Sequence, residues 1–130
     1  MSTVTSERTV DNIKDWITVE NIRLWLEALR DEHGPDHVIG ERNVSQCYVA
    51  QFARSTLGDV VRECGYKEIM LSDLTLVIFS DVSGVVGTHP VSNFIRRVDQ
   101  TFEQDTPLTV QQGLNLLELE VMLTIPEQES

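Results

Sequence analysis

Three histidines, two cysteines and a scatter of acids are the side chains of this 130-residue chain whose types could do chemistry. His33 and His37 stand four apart around Gly34-Pro35, with Asp36 between them and Cys47 further on, and these are residue types that zinc accepts. A zinc site wants three or four rigidly held ligands, commonly as two close pairs, and no second pair follows here. Two exposed loop histidines are the simpler reading, so no metal is expected. Cys47 with His89 or His37 would make a nucleophile and its base, but any chain with two Cys and three His offers such pairings by chance. The acid pairs Asp31-Glu32, Asp99-Glu103 and Glu118-Glu120 fall on solvated helix faces or ends, whereas acid–base work needs a concave, partly desolvated site. Gly84-Val85-Val86-Gly87-Thr88-His89 precedes a helix as phosphate loops do. It lacks both the Gly-Lys-Ser/Thr of a P-loop and the three-glycine spacing of a dinucleotide fingerprint. No catalytic, cofactor-binding or metal-ligating residue is therefore assigned, and no cofactor is expected.

The elements that would position these residues follow from periodicity. Leu74 to Phe79 is the longest continuous apolar run and is rich in β-branched and aromatic residues. Its six residues suit a strand covered on both faces, so residues 74–79 are expected as the central strand of a small, mainly antiparallel sheet. Leu76, Val77, Ile78 and Phe79 should then all be inaccessible to water. Around this strand the spacing predicts about four helices. Thr18 caps the first, whose Ile22, Trp25, Leu26 and Leu29 fall at i, i+3, i+4 and i+7 and which ends at Gly34-Pro35. Ser45 is expected to cap a second, carrying Val49, Phe52, Ala53 and Leu57 and stopped by Gly58. Pro90 opens a third with Val91, Phe94, Ile95, Val98 and Phe102 on one stripe. Thr109 and Gln112 form a capping box for the last.

The pieces between read as a loop or short extended segment around Val38-Ile39-Gly40, a strand from about Asp59 to Cys64, and an extended piece at Ile69-Met70-Leu71. Val85-Val86 could add a little pairing. The fold class is α+β. Residues 1–17 are expected as a loosely ordered N-terminus that docks through Trp16, residues 18–125 as one globular domain, and residues 126–130 as a short acidic tail.

Composition limits what such a domain does. With 41% apolar and 24% charged residues the chain is ordinary for a globular protein. No segment approaches the roughly 18 apolar residues of a membrane helix, and the N-terminus has no apolar leader, so a cytoplasmic location is expected. Cys47 and Cys64 then read as two reduced, partly buried thiols. The net charge of −11 is spread along the chain, which argues against nucleic-acid binding by direct electrostatics.

The order Leu24-Trp25-Leu26, Val38-Ile39-Gly40, Cys47 before Val49-Ala50, Phe94-Ile95 with Val98-Asp99, and Thr109-x-x-x-Gly113-Leu114-x-x-Leu117 resembles a group of short bacterial proteins. The likeness covers about residues 20–118. Members usually carry Pro after the Cys, where this chain has Tyr48. The resemblance implies a bacterial or phage cytoplasmic protein of unassigned activity, and it carries over no functional residue.

The leading expectation is a non-enzymatic interaction or regulatory protein. In the last helix Leu116, Leu119 and Leu123 cannot share the stripe of Val110, Leu114 and Leu117. Either the helix is sandwiched inside the fold or these three residues are an interface, most simply to a second copy in a two-fold dimer. An acidic inhibitor or immunity-type protein covering a basic partner is the alternative, and a small enzyme the third. No membrane partner is expected.

Overall fold

The computed structural model describes residues 8–65, 67–80 and 89–124, with side chains through Leu119. Tyr66, the Val85-Val86 segment, the glycine-rich stretch before His89, the side chain of Leu123 and residues 125–130 lie outside these described residues. The chain is α+β, and its described residues form two small antiparallel sheets.

A single helical turn, α1 (Ile13–Trp16), comes first, and Ile13, Trp16 and Ile17 are all buried. The Trp16 indole N–H donates to the Thr9 carbonyl and the Asn12 side chain, each at 3.0 Å, so the buried ring keeps its polar edge satisfied. Helix α2 (Val19–His33) starts where Thr18 Oγ1 accepts from the Asn21 amide at 3.1 Å. It stops at Gly34, whose φ of 96° lies in the left-handed region that glycine tolerates. Strand β1 (Val38–Glu41) follows, then α3 (Tyr48–Leu57) and a 3₁₀ turn at Gly58–Val60. The capping expectation for α3 is corrected: its N-cap is Cys47. Ser45 is drawn into a preceding turn in which Asn43 Oδ1 accepts from the Ser45 amide, the Ser45 hydroxyl and the Gln46 amide. The short Asn side chain competes for those donors and delays the helix.

Strands β2 (Val61–Cys64), β3 (Glu68–Leu71) and β4 (Leu76–Ile78) form a three-stranded antiparallel sheet in the order β2-β3-β4. The central strand is therefore β3, and the expectation that residues 74–79 occupy the middle is overturned. The cause is local. Leu74 has φ 70°, Leu71 N–H donates to the Thr75 carbonyl at 2.9 Å, and the Thr75 amide donates to Asp73 Oδ1 at 3.0 Å. A turn thus consumes the start of the apolar run, leaving only three residues to pair, with Ile69 opposite Val77 and Met70 opposite Leu76. Alternation then takes over: Val77 packs against the core and Phe79 is buried, while Leu76 and Ile78 point to water.

Helix α4 (Pro90–Thr101) is capped by His89, whose Nδ1 accepts from the Val91 amide at 3.2 Å, and it buries Val91, Phe94, Ile95 and Val98. Strand β5 (Pro107–Thr109) pairs antiparallel with β1, so the Val38 segment is a true strand whose partner sequence reading missed. Helix α5 (Val110–Thr124) begins with the expected capping box: Gln112 N–H donates to Thr109 Oγ1, and Thr109 N–H to Gln112 Oε1. Helices α2 and α4 both pack along α5. Gly113 makes room there for the Tyr48 ring, which is buried and tilted against Phe94 at 5.6 Å. Among the described residues no helix is long and apolar enough to cross a membrane.

Candidate functional site

Two features stand out from this frame: an exposed apolar face on the β3–β4 hairpin and a cleft that holds both cysteines.

The hairpin face follows from the alternation just described. Leu76 is 57% exposed, Ile78 46%, and Leu74 at the turn 63%. Met70, half-buried, lies directly opposite Leu76 on the neighbouring strand, and Val60, also exposed, is tied to the turn through its carbonyl, which accepts from the Ser72 amide at 2.8 Å. Exposed aliphatics are ordinary when scattered, but here they cluster on one edge strand and its turn. Asp73 sits beside them in the turn, and hydrogen bonds from Thr75 hold its carboxyl below the usual carboxylate range. An ionised side chain therefore marks the rim of the apolar face.

The cleft lies where the β1–α3 connection, the end of β2 and α4 meet, with a volume of about 290 Å³. Arg42, Cys47, Cys64, Ile95 and Asp99 line it. Its shape is held from several sides: the Cys64 amide donates to the Val44 carbonyl at 2.8 Å, and Arg42 Nη2 donates to the Asp99 carbonyl at 3.1 Å. Arg42 Nε also pairs with the Asp99 carboxylate at 3.4 Å. Both thiols are buried and reduced, and they are within hydrogen-bonding reach of each other. The Cys64 proton has two acceptors within range, the Gly65 carbonyl at 3.2 Å and the Cys47 sulfur.

The two thiols titrate in opposite directions. The hydrogen bond from Cys64 pulls Cys47 below the ordinary thiol value, helped by the nearby first-turn amides of Val49 and Ala50, although no capping hydrogen bond closes. Burial pushes Cys64 well up, and its bond to Cys47 adds to the rise. A thiol at a helix N-terminus that accepts a hydrogen bond from a neighbouring thiol gives up its proton more readily than that neighbour does.

The other sequence candidates are dispersed. His33 and His37 stack on each other with centroids 4.4 Å apart, and His33 Nε2 lies 3.7 Å from Glu32. His89 caps α4 and meets the Phe79 ring edge-on, so neither His37 nor His89 lines the cleft with Cys47. Among the described residues no group of three or more His, Cys, Asp or Glu is placed to hold a metal ion. Asp31, Glu32, Glu103 and Glu118 are exposed, while Asp99 reaches the cleft. On α5, Leu116 packs at the margin of the core and Leu119 is 45% exposed.

Sequence reasoning missed both the Cys47–Cys64 meeting and the exposure of β4. The cysteines are separated by a helix and a turn, and no local spacing signals their contact. The Asp73-Leu74-Thr75 turn was signalled only by Asp73. Comparison with known proteins adds no constraint: no family model, curated protein or solved structure matches the chain.

Proposed function

We propose that this protein is a non-enzymatic interaction module whose contact surface is the outer face of the β3–β4 hairpin. The observation that supports this reading is the cluster Leu74, Leu76 and Ile78, three large aliphatic side chains held in water on one short edge strand and its turn. Leaving that surface exposed costs solubility and invites pairing, which a partner relieves. The net charge of −11 gives the fitting partner an apolar centre with a basic rim, and such a partner associates at a rate that falls as salt rises.

A photo-activated cross-linker placed at position 76, with position 31 on the exposed end of α2 as the control, tests this in host cells. A defined adduct from position 76 that is absent from position 31 is the expected result. The same adducts from both positions, or none from position 76, would remove the hairpin as the contact surface.

A second reading rests on Leu119, which α5 leaves exposed beyond the half-buried Leu116. Together with Leu123 these residues would join two copies about a two-fold axis. Sedimentation at high micromolar concentration separates the readings, since only this one expects a dimer that Leu119→Glu dissociates.

A further inference from the structure

Cys47 and Cys64 are the only cysteines in the chain, and the fold brings both to one cleft. Cys47 sits at the N-terminus of the ten-residue α3, Cys64 at the end of β2, and the Val44–Cys64 backbone bond pins the two segments together. Among the described residues no histidine or lysine lines the cleft; the charged groups there are Arg42 and Asp99, which pair with each other, and Glu68 lies close enough to Cys64 to act on it electrostatically. Two free thiols lining one cleft, with Cys64 near enough to act on Cys47, form a ready-made dithiol beside open volume.

We propose that Cys47 and Cys64 are a thiol–disulfide site, in which a small peroxide entering the cleft converts the pair to an intramolecular disulfide. The Cys47 thiolate attacks one oxygen of hydrogen peroxide, the O–O bond breaks, and the departing hydroxide takes a proton to leave as water. The Cys64 sulfur then attacks the resulting Cys47 sulfenic acid, the S–S bond forms and the S–O bond breaks. The hydroxide released takes the Cys64 proton and becomes the second water. Two thiols lose two electrons and two protons, and one peroxide becomes two waters. A thiol reductant reverses the reaction by exchange.

This site is separate from the hairpin face, because neither Leu76 nor Ile78 lines the cleft. The reduced full-length protein, treated with hydrogen peroxide at neutral pH, tests it by intact mass and by thiol titration after denaturation. Loss of both thiols together, a mass lower by about 2 Da, a monomer on a non-reducing gel and recovery with dithiothreitol are the expected results. In Cys64→Ser, Cys47 should be trapped by dimedone as the sulfenic acid, and in Cys47→Ser the remaining thiol should react at least about tenfold more slowly. Two thiols that stay titratable after native-state treatment would overturn the proposal, as would a disulfide-linked dimer or equal reactivity in the two variants. If either serine variant does not fold, the mass and thiol count of the unmutated protein decide alone.

Discussion

Ile69 and Ile78 lie on neighbouring strands of one sheet, one at each end of the burial range, which makes them a matched pair for testing where the core ends. Ile69, on the central β3, has no exposed surface, whereas Ile78 keeps nearly half of its surface in water. Truncating Ile69 to Ala removes buried methyl and methylene groups and leaves a cavity under the sheet, at a cost of about 2–5 kcal/mol. Ile78→Ala opens no cavity and forfeits only part of the transfer free energy, so its cost is about 1 kcal/mol or less. With a urea dependence of roughly 1–3 kcal/mol/M, Ile69→Ala should lower the midpoint by about 1–2 M and Ile78→Ala by a small fraction of that. Equilibrium urea melts followed by circular dichroism read both. Equal shifts would mean that β4 is covered on both faces, and the exposure on which the interaction reading rests would be wrong.

Three further outcomes follow from single contacts. Gly113→Ala should destabilise by about 1–2 kcal/mol in thermal melts despite its better helix propensity, because the new Cβ would stand 2.7 Å from Cε1 of the packed Tyr48 ring. Tyr48 donates its hydroxyl to the Thr109 carbonyl, and burial raises its pKa, so the ionised form is disfavoured in the fold. That contribution to stability is fully present below the ordinary tyrosine value of about 10 and is lost as pH rises beyond it. Tyr48→Phe should therefore cost about 1 kcal/mol at neutral pH and flatten the decline in stability above about pH 10, as read by melts at stepped alkaline pH. Thr18→Ala, which removes the cap of α2, should cost about 1 kcal/mol.

How far the sequence could be read depended on how local each determinant is. The stripes Ile22–Leu26 and Val91–Phe94–Ile95–Val98, the Gly34 stop and the Thr109–Gln112 capping box involve residues within one or two turns of each other, and they form as expected. Strand β4 was misplaced because apolar content signals burial only when the strand runs its full length. Here Leu74 turns through positive φ and only Leu76–Ile78 remain to pair. Strand β5 is three residues long and begins with Pro107, so nothing in its own composition announced a strand; β1 across from it supplies the reason it is one. The cysteine cleft depends on how α3, β2 and α4 pack, which no spacing along the chain encodes.

The central claim is that the hairpin face binds a partner without being needed for the fold. Leu76→Glu/Ile78→Glu puts two charges onto that face at positions that already face water, so the free energy of unfolding should fall by no more than about 2 kcal/mol, about 1 kcal/mol for each site. Co-purification from host cells, without a cross-linker, of the partner that the position-76 adduct identifies, quantified for the unmutated protein and this double variant side by side, is the decisive measurement. A loss of at least about tenfold with the fold retained is the expected result. Undiminished recovery from a folded double variant would contradict the claim.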